Sequence, residues 1–244
     1  MSTVTVSCRG KPTDIDMAEW FKQYAEYAEN SPLEITGVFG FVKEKSPLYG
    51  GRVYSGEEIT EQDLRFLKDN DMSLKITLTA HKASRQEYEE SRKLLNKYYY
   101  PGNSIAVVND DLAKWIKQDY PNYLVEASVI KNVKWGDIEE TLETYDTLVL
   151  TMDKNDDLDK LKEIKEKDRI ILFGNAGCAY NCPAKICYPS ISKVNKGVPG
   201  AQFKCSQTLK PRNPNLLHTF DREVLEELGF HNFKFVTNVL EFGM

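Results

Sequence analysis

The sequence predicts an α/β fold, a parallel (β/α)8 TIM-like barrel, and three observations support that prediction. Runs rich in β-branched and apolar residues alternate with amphipathic helical segments, which is typical of βαβ units. An open doubly wound sheet would favour a glycine-rich phosphate-binding turn after the first run, and this sequence has no such turn there. The length of 244 residues, 41% of them hydrophobic, suits one domain of barrel size. We therefore expect residues 1–244 to form a single barrel domain.

Strand and helix signals alternate along almost the whole chain. The eight predicted strands are Val4–Cys8, Glu34–Val42, Leu74–Thr79, Ser104–Val108, Leu124–Ile130, Thr147–Met152, Arg169–Phe173 and Phe233–Val236. Each strand except the last precedes a segment whose apolar residues recur at intervals of three and four, the pattern of an amphipathic helix. These predicted helices fall within residues 17–30, 60–70, 84–100, 111–120, 135–145, 156–167 and 220–229. Because the chain stops soon after the eighth strand, we expect the last helix to be short or missing.

The composition bears on the protein's location in the cell and on the classes of partner that it can bind. No run approaches the roughly 18 apolar residues that a membrane-spanning helix needs, and the N-terminal segment lacks the basic and apolar character of a targeting signal. We therefore expect a cytoplasmic protein with no membrane partner. The net charge of −5 gives no global basic field of the kind that binds nucleic acid.

The longest interruption of the pattern, residues 174–218, follows the seventh predicted strand. It contains five of the ten prolines, has no clear periodicity, and holds the four clustered cysteines, Cys178, Cys182, Cys187 and Cys205. Loops of this length are usually functional or disordered, and the loop after a barrel strand opens on the face where active sites of this fold are built. Lys193, Lys196, Lys204, Lys210 and Arg212 also make it locally basic, which suits an anionic substrate or electron donor.

The cysteine spacing indicates a metal centre. The chain has five cysteines and no secretion signal, so a disulfide framework is less favoured than a metal site. The pattern C-x3-C-x4-C, with a fourth cysteine after a further 17 residues, lacks the C-x2-C pairs typical of zinc. Iron–sulfur clusters accept more varied spacings, so we favour a cluster and keep zinc as the alternative. Cys8 lies on a predicted strand and suits a packing role.

These residues also resemble a known family. The segment NAGCAYNCPAKICYPS after a strand, then FKCSQTLKPR, then a final helix and strand in DREVLEELGFHNFKFVTN are together similar to the peptidase U32 family. Upstream, LYGGRVYSGEEITEQDLRFL and YLVEASVIKNV resemble the family's glycine-rich turn and its fifth strand, in the same order. The resemblance covers most of the chain, and its specific part is the cysteine segment.

The resemblance implies a 4Fe-4S cluster bound by Cys178, Cys182, Cys187 and Cys205. It also implies a part in oxygen-independent hydroxylation of a small aromatic or quinone substrate or of an RNA base, with a homologous protein as a possible partner subunit. The final strand differs from the family pattern, because Val236 to Asn238 replace its Glu and Arg positions. This difference counts against RNA as the substrate, and so does the lack of the C-terminal extension that RNA-modifying members have.

Polar residues at the predicted strand ends are the weaker candidates for catalysis. His81, Lys131 and Asn175 are the ones we single out, and a histidine can act as an acid or base near neutral pH. Neither a Ser/His/Asp arrangement nor an H-E-x-x-H motif is visible, so a U32-type peptidase is a less favoured alternative. The other alternative is a non-catalytic binding module in which zinc holds the same cysteines together.

Overall fold

The computed structural model describes residues 2–28, 33–180, 182, 184–206 and 218–237. Eight parallel strands form a closed barrel in the order β1, β10, β7, β6, β5, β4, β3, β2. They are β1 (Thr3–Ser7), β2 (Glu34–Phe39), β3 (Ser73–Leu78), β4 (Ser104–Val107), β5 (Leu124–Ala127), β6 (Thr147–Val149), β7 (Ile170–Phe173) and β10 (Asn232–Phe235). The predicted (β/α)8 barrel is thereby confirmed.

Helices connect the strands on the outside of the barrel. They are α1 (Met17–Phe21), α2 (Glu61–Asp69), α3 (Arg85–Lys97), α4 (Asp110–Asp119), α5 (Ile138–Thr144), α6 (Leu158–Glu163) and α8 (Arg222–Glu227), while α7 (Cys187–Asn195) lies in the long segment that follows β7. Thr60 and Ser84 begin α2 and α3 with reciprocal capping boxes, in which the third helical residue returns a bond to the cap. Asn109 caps α4 by accepting a hydrogen bond from the Leu112 amide at 2.9 Å, as its position after a strand predicts.

Three of the observed strands end three residues before their predicted ends. The second ends at Phe39, the fifth at Ala127 and the sixth at Val149. After β5 the chain turns at once, because Ser128 caps a single helical turn over Val129–Lys131. Apolar residues continue past these strand ends, and the sequence pattern alone does not mark where pairing stops. The end of the chain, where we expected a short or missing helix, lies outside the described residues from 238 onward.

Alternation along the strands separates two environments. Outward-facing residues such as Val4, Val38 and Leu148 are fully buried against the helices. The alternate strand residues face the inside of the barrel, which we call the lumen. They include the paired residues Thr5 and Lys234, Phe39 and Lys75, and Ala106 and Glu126. The lumen therefore carries polar and charged residues.

In the described part of the chain, no helix is long and apolar enough to cross a membrane.

Residues 174–218, which we call the cysteine insertion, contain regular structure that the sequence did not predict. Strand β8 (Asn175–Ala176) pairs antiparallel with β9 (His218–Thr219), and helix α7 occupies nine residues between them. The prediction of a segment without periodicity was wrong for α7. A proline at the third helical position, Pro189, is compatible with a helix because the first-turn amides have no intrahelical acceptor.

Candidate functional site

Helix α7 is fixed over the mouth of the barrel by its last residue. The Asn195 side chain donates to the carbonyl oxygens of Tyr49 and Arg52, each at 3.0 Å, and accepts from the Tyr54 amide at 2.9 Å. All three partners belong to the glycine-rich turn after β2. A Cβ on Gly50 would lie 2.3 Å from the Thr79 carbonyl oxygen, so only glycine lets this turn pack directly on the end of β3.

Two further contacts join α7 to the segment after β3. The Ser192 hydroxyl accepts from the His81 amide at 3.1 Å. The Lys196 ammonium donates to the Lys82 carbonyl at 2.7 Å and to the Glu87 carboxylate at 2.5 Å. The cysteine insertion therefore lies across the carboxyl ends of β2 and β3, on the face where barrel active sites are found.

Ser190 brings the distant fourth cysteine back to the first three. Its hydroxyl donates to the Cys187 carbonyl at 2.8 Å and accepts from the Lys204 amide at 3.0 Å. Lys204 immediately precedes Cys205, so this one side chain holds the returning segment against the start of α7. The 17 residues that separate the two cysteines in sequence thus do not separate them in space.

Cys182 joins the same group through the residue after Cys205. Its Sγ lies 3.3 Å from the Ser206 hydroxyl. That hydrogen bond, together with the backbone around Ala184 and Lys185 and the Lys185 charge, lowers the pKa of the Cys182 thiol. A thiol with a lowered pKa is present to a greater extent as thiolate, the form that binds metals.

The Cys187 thiol lies within electrostatic range of the other three thiols. Burial raises the pKa of its thiol, and Cys178, Cys182 and Cys205 each raise it further. Yet across the described ranges no three His, Cys, Asp or Glu side chains are arranged to hold a metal ion. The thiols are therefore near enough to interact, but they are not drawn in around one ion.

The base of the insertion is closed by aromatic rings. Tyr180 stacks on His218 with ring centroids 5.0 Å apart, and Phe220 packs edge-on against both rings. The Tyr180 hydroxyl donates to the Asp156 carboxylate at 2.6 Å, which connects the insertion to the segment after β6. Asn175 bonds both backbone polar groups of Val236 at 2.8 Å and so ties β8 to the end of β10.

An open pocket of about 470 Å³ separates the insertion from the ends of β3 and β5. It is lined by His81, Ile130, Asn132, Ala184, Lys185, Ile186, Tyr188 and Pro189. Burial raises the pKa of the Tyr188 hydroxyl, and Cys187, Cys178 and Cys182 raise it further. Tyr188 therefore belongs both to the pocket wall and to the surroundings of the thiols.

The structure separates the three catalytic candidates. His81 lines the pocket. Lys131 pairs with Asp110 at 2.7 Å beside that pocket, and Asn175 is fully buried in a structural role. Cys8 is also fully buried, 3.9 Å from the sulfur of Met17, as a packing residue would be.

Sequence reasoning missed the residues that assemble the site. Ser190, Ser192 and Asn195 are small polar residues in a segment without a recognised helix, and nothing in their spacing marked them. Their positions three to eight residues after a cysteine were the only available signal. Of the predicted basic residues, Lys196 is ion-paired with Glu87, while Lys210 and Arg212 lie outside the described residues.

Comparison with known proteins agrees with this architecture. The chain is similar in structure to the U32 peptidase Mk0906, with a TM-score of 0.63 and 13% sequence identity over 97% of this chain and 93% of that chain. No protein-family model and no curated protein matches the sequence. At that identity the likeness establishes the fold. The chain therefore shares the fold of a U32 peptidase, in agreement with the family that its cysteine segment resembles.

Proposed function

We propose that the protein binds a 4Fe-4S cluster on Cys178, Cys182, Cys187 and Cys205 and takes part in oxygen-independent hydroxylation of a small aromatic or quinone substrate. The observation that carries the proposal is the folding of the insertion at the barrel mouth, where Ser190 holds the residue before Cys205 against Cys187 and Ser206 lies 3.3 Å from the Cys182 sulfur. Thiolates are the ligands that iron–sulfur clusters use. When bound, such a cluster supplies one-electron redox chemistry.

The cysteine spacing favours a cluster over a single zinc ion, because it contains no C-x2-C pair. Zinc bonds sulfur at about 2.3 Å in a tetrahedron, which places its sulfurs only about 3.8 Å apart. Among the described residues no group of three or more side chains is already arranged around one ion, so the choice between zinc and a cluster rests on the spacing. A cubane offers four separate corners, so its thiolates lie farther apart while still surrounding one centre.

The pocket beside the thiols suits a flat, partly apolar substrate. Ile130, Ile186 and the Tyr188 ring provide apolar walls, and His81 and Lys185 provide polar groups at the rim. Tyr188 contributes to the pocket and also lies within the electrostatic influence of three thiols. A substrate in this pocket is therefore next to the proposed redox centre. His81, at the rim of the pocket, is the residue that we propose exchanges a proton with it.

Metal analysis after anaerobic purification tests the proposal. We expect about four irons and matching sulfide per chain, with a brown absorbance. One zinc and no visible absorbance would instead support the zinc-bound binding module.

Cysteine variants assign the ligands. Replacing Cys178, Cys182, Cys187 or Cys205 with Ala should lower iron content, because each loss leaves one corner without a thiolate. Cys205→Ala is the variant most able to retain a labile cluster, because the other three ligands are close in sequence. Cys8→Ala is the matched control and should leave iron content unchanged. Iron lost in Cys8→Ala but kept in Cys205→Ala would refute the assignment.

A further inference from the structure

Three charged side chains from three strands meet inside the barrel. Glu126 on β5 accepts hydrogen bonds from Lys75 on β3 and, at 3.1 Å, from Lys234 on β10. These strands are not neighbours in the sheet, so the three groups meet across the lumen. Glu126 is fully buried, and Lys75 and Lys234 are each only 6% exposed. We call these residues the lumen triad.

The lumen triad has an excess of positive charge. Burial opposes ionisation of Glu126, but the charges of Lys234 and Lys75 outweigh it and hold the pKa of that carboxyl below its usual value. One carboxylate between two ammonium groups leaves a net charge of about +1 when all three are ionised. A net charge held away from water is costly unless an opposite charge accompanies it. The triad therefore favours a bound anion.

The lumen also has space that solvent reaches. Thr5, Phe39 and Thr77 face the interior and remain partly exposed, while their outward-facing neighbours are buried. On β4 the registers place small side chains beside the triad, with Ser104 next to Lys75 and Ala106 next to Glu126, while Phe39 and Phe173 lie next to Lys75 and Lys234 on the other neighbouring strands. Barrels of this kind normally fill the interior with large branched residues. Small residues here leave room for a ligand.

We propose that the lumen binds a small organic ligand through its carboxylate, which accepts hydrogen bonds from Lys75 and Lys234. Each ammonium has three N–H donors, and its bond to Glu126 engages one of them. A carboxylate carries the single negative charge that neutralises the triad, whereas a phosphate ester carries about −1.5 to −2 at pH 7. The Phe39 ring, 4.3 Å from the Lys234 nitrogen, forms an apolar wall for the rest of the ligand. This site uses none of the cysteines and stands independently of the proposed cluster.

Binding of acetate by the full-length protein tests the proposal. The neutral isostere acetamide is the matched probe, and a chloride-free zwitterionic buffer avoids competition from chloride. Calorimetry should give acetate an affinity at least tenfold higher than that of acetamide. Lys234→Met and Lys75→Met should each weaken acetate binding at least tenfold, because each leaves a neutral Lys–Glu pair. Lys165→Met removes an exposed lysine from the outer surface and should leave the affinity unchanged.

Two results would overturn the proposal. One is acetamide binding as tightly as acetate, and the other is acetate affinity within twofold of the wild type in both lumen variants. Circular dichroism verifies that the variants fold. Anomalous scattering from 4-bromobenzoate, an aryl bromide that does not alkylate the accessible thiols, gives a test in wild-type crystals without any substitution, since bromine density in the lumen supports the site and density confined to other places refutes it.

Discussion

At the barrel mouth, polar groups are held mainly by neutral hydrogen bonds to the backbone, whereas in the lumen they are held by hydrogen bonds between charged side chains. Asn195 and Ser190 fix α7 through main-chain carbonyls and amides, and the thiols beside them remain partly exposed. Lys75, Glu126 and Lys234 pair with one another, and each is at most 6% exposed. The mouth should therefore tolerate substitutions that loosen it locally, while the lumen should respond strongly to any unbalanced charge.

The largest effect is expected from Glu126→Gln, which keeps the side-chain shape and removes the charge. It leaves two buried ammonium groups facing each other, and breaking a buried ion pair in this way costs about 3–5 kcal/mol of unfolding free energy. Urea unfolding at pH 7 measures the loss. The triple variant K75M/E126M/K234M removes every charge and should cost far less, since apolar replacements of buried ion networks are often neutral. Equal losses in the two proteins would contradict the charge argument.

A smaller effect is expected from Asn195→Ala at the mouth. The change removes three hydrogen bonds and leaves the buried carbonyl of Tyr49 without its side-chain donor, at a cost of about 2–3 kcal/mol. Amide hydrogen exchange should accelerate in α7 and not in the barrel strands. Asn70→Ala, which removes one bond from an exposed side chain, is the matched control and should change little. The comparison between regions fails if exchange accelerates throughout the barrel.

The smallest effect is a pH dependence from Lys234. Burial lowers the pKa of its ammonium to about 8, below its usual value of 10.5. Between these values the folded protein has released the proton and the unfolded chain still holds it, so unfolding free energy from this group rises with pH. Comparing wild type with Lys234→Met from pH 8 to 9.5 isolates the contribution, because Cys8 and the tyrosines titrate alike in both proteins. A slope that is no steeper in the wild type would contradict the assignment.

The sequence by itself determined that eight strands follow one another along the chain and that four cysteines fall in one segment after the seventh. Strand and helix periodicities are local properties, since a two-residue or 3.6-residue repeat marks which face is buried whatever the partner. The position of the insertion after β7 was likewise readable, because loops after parallel strands open on one face. His81 was singled out there as a weaker candidate for catalysis, and its exposed side chain lies at the rim of the pocket.

Only the tertiary structure decided how distant residues combine. Ser190 acquires its role from an amide 14 residues away, and Asn195 from a turn about 140 residues away. Lys75, Glu126 and Lys234 each read in sequence as an ordinary charged residue in a strand, which is usually solvent-facing. Closure of the barrel reverses that expectation, because the inward face of every strand then shares one enclosed space in which the charges must find each other.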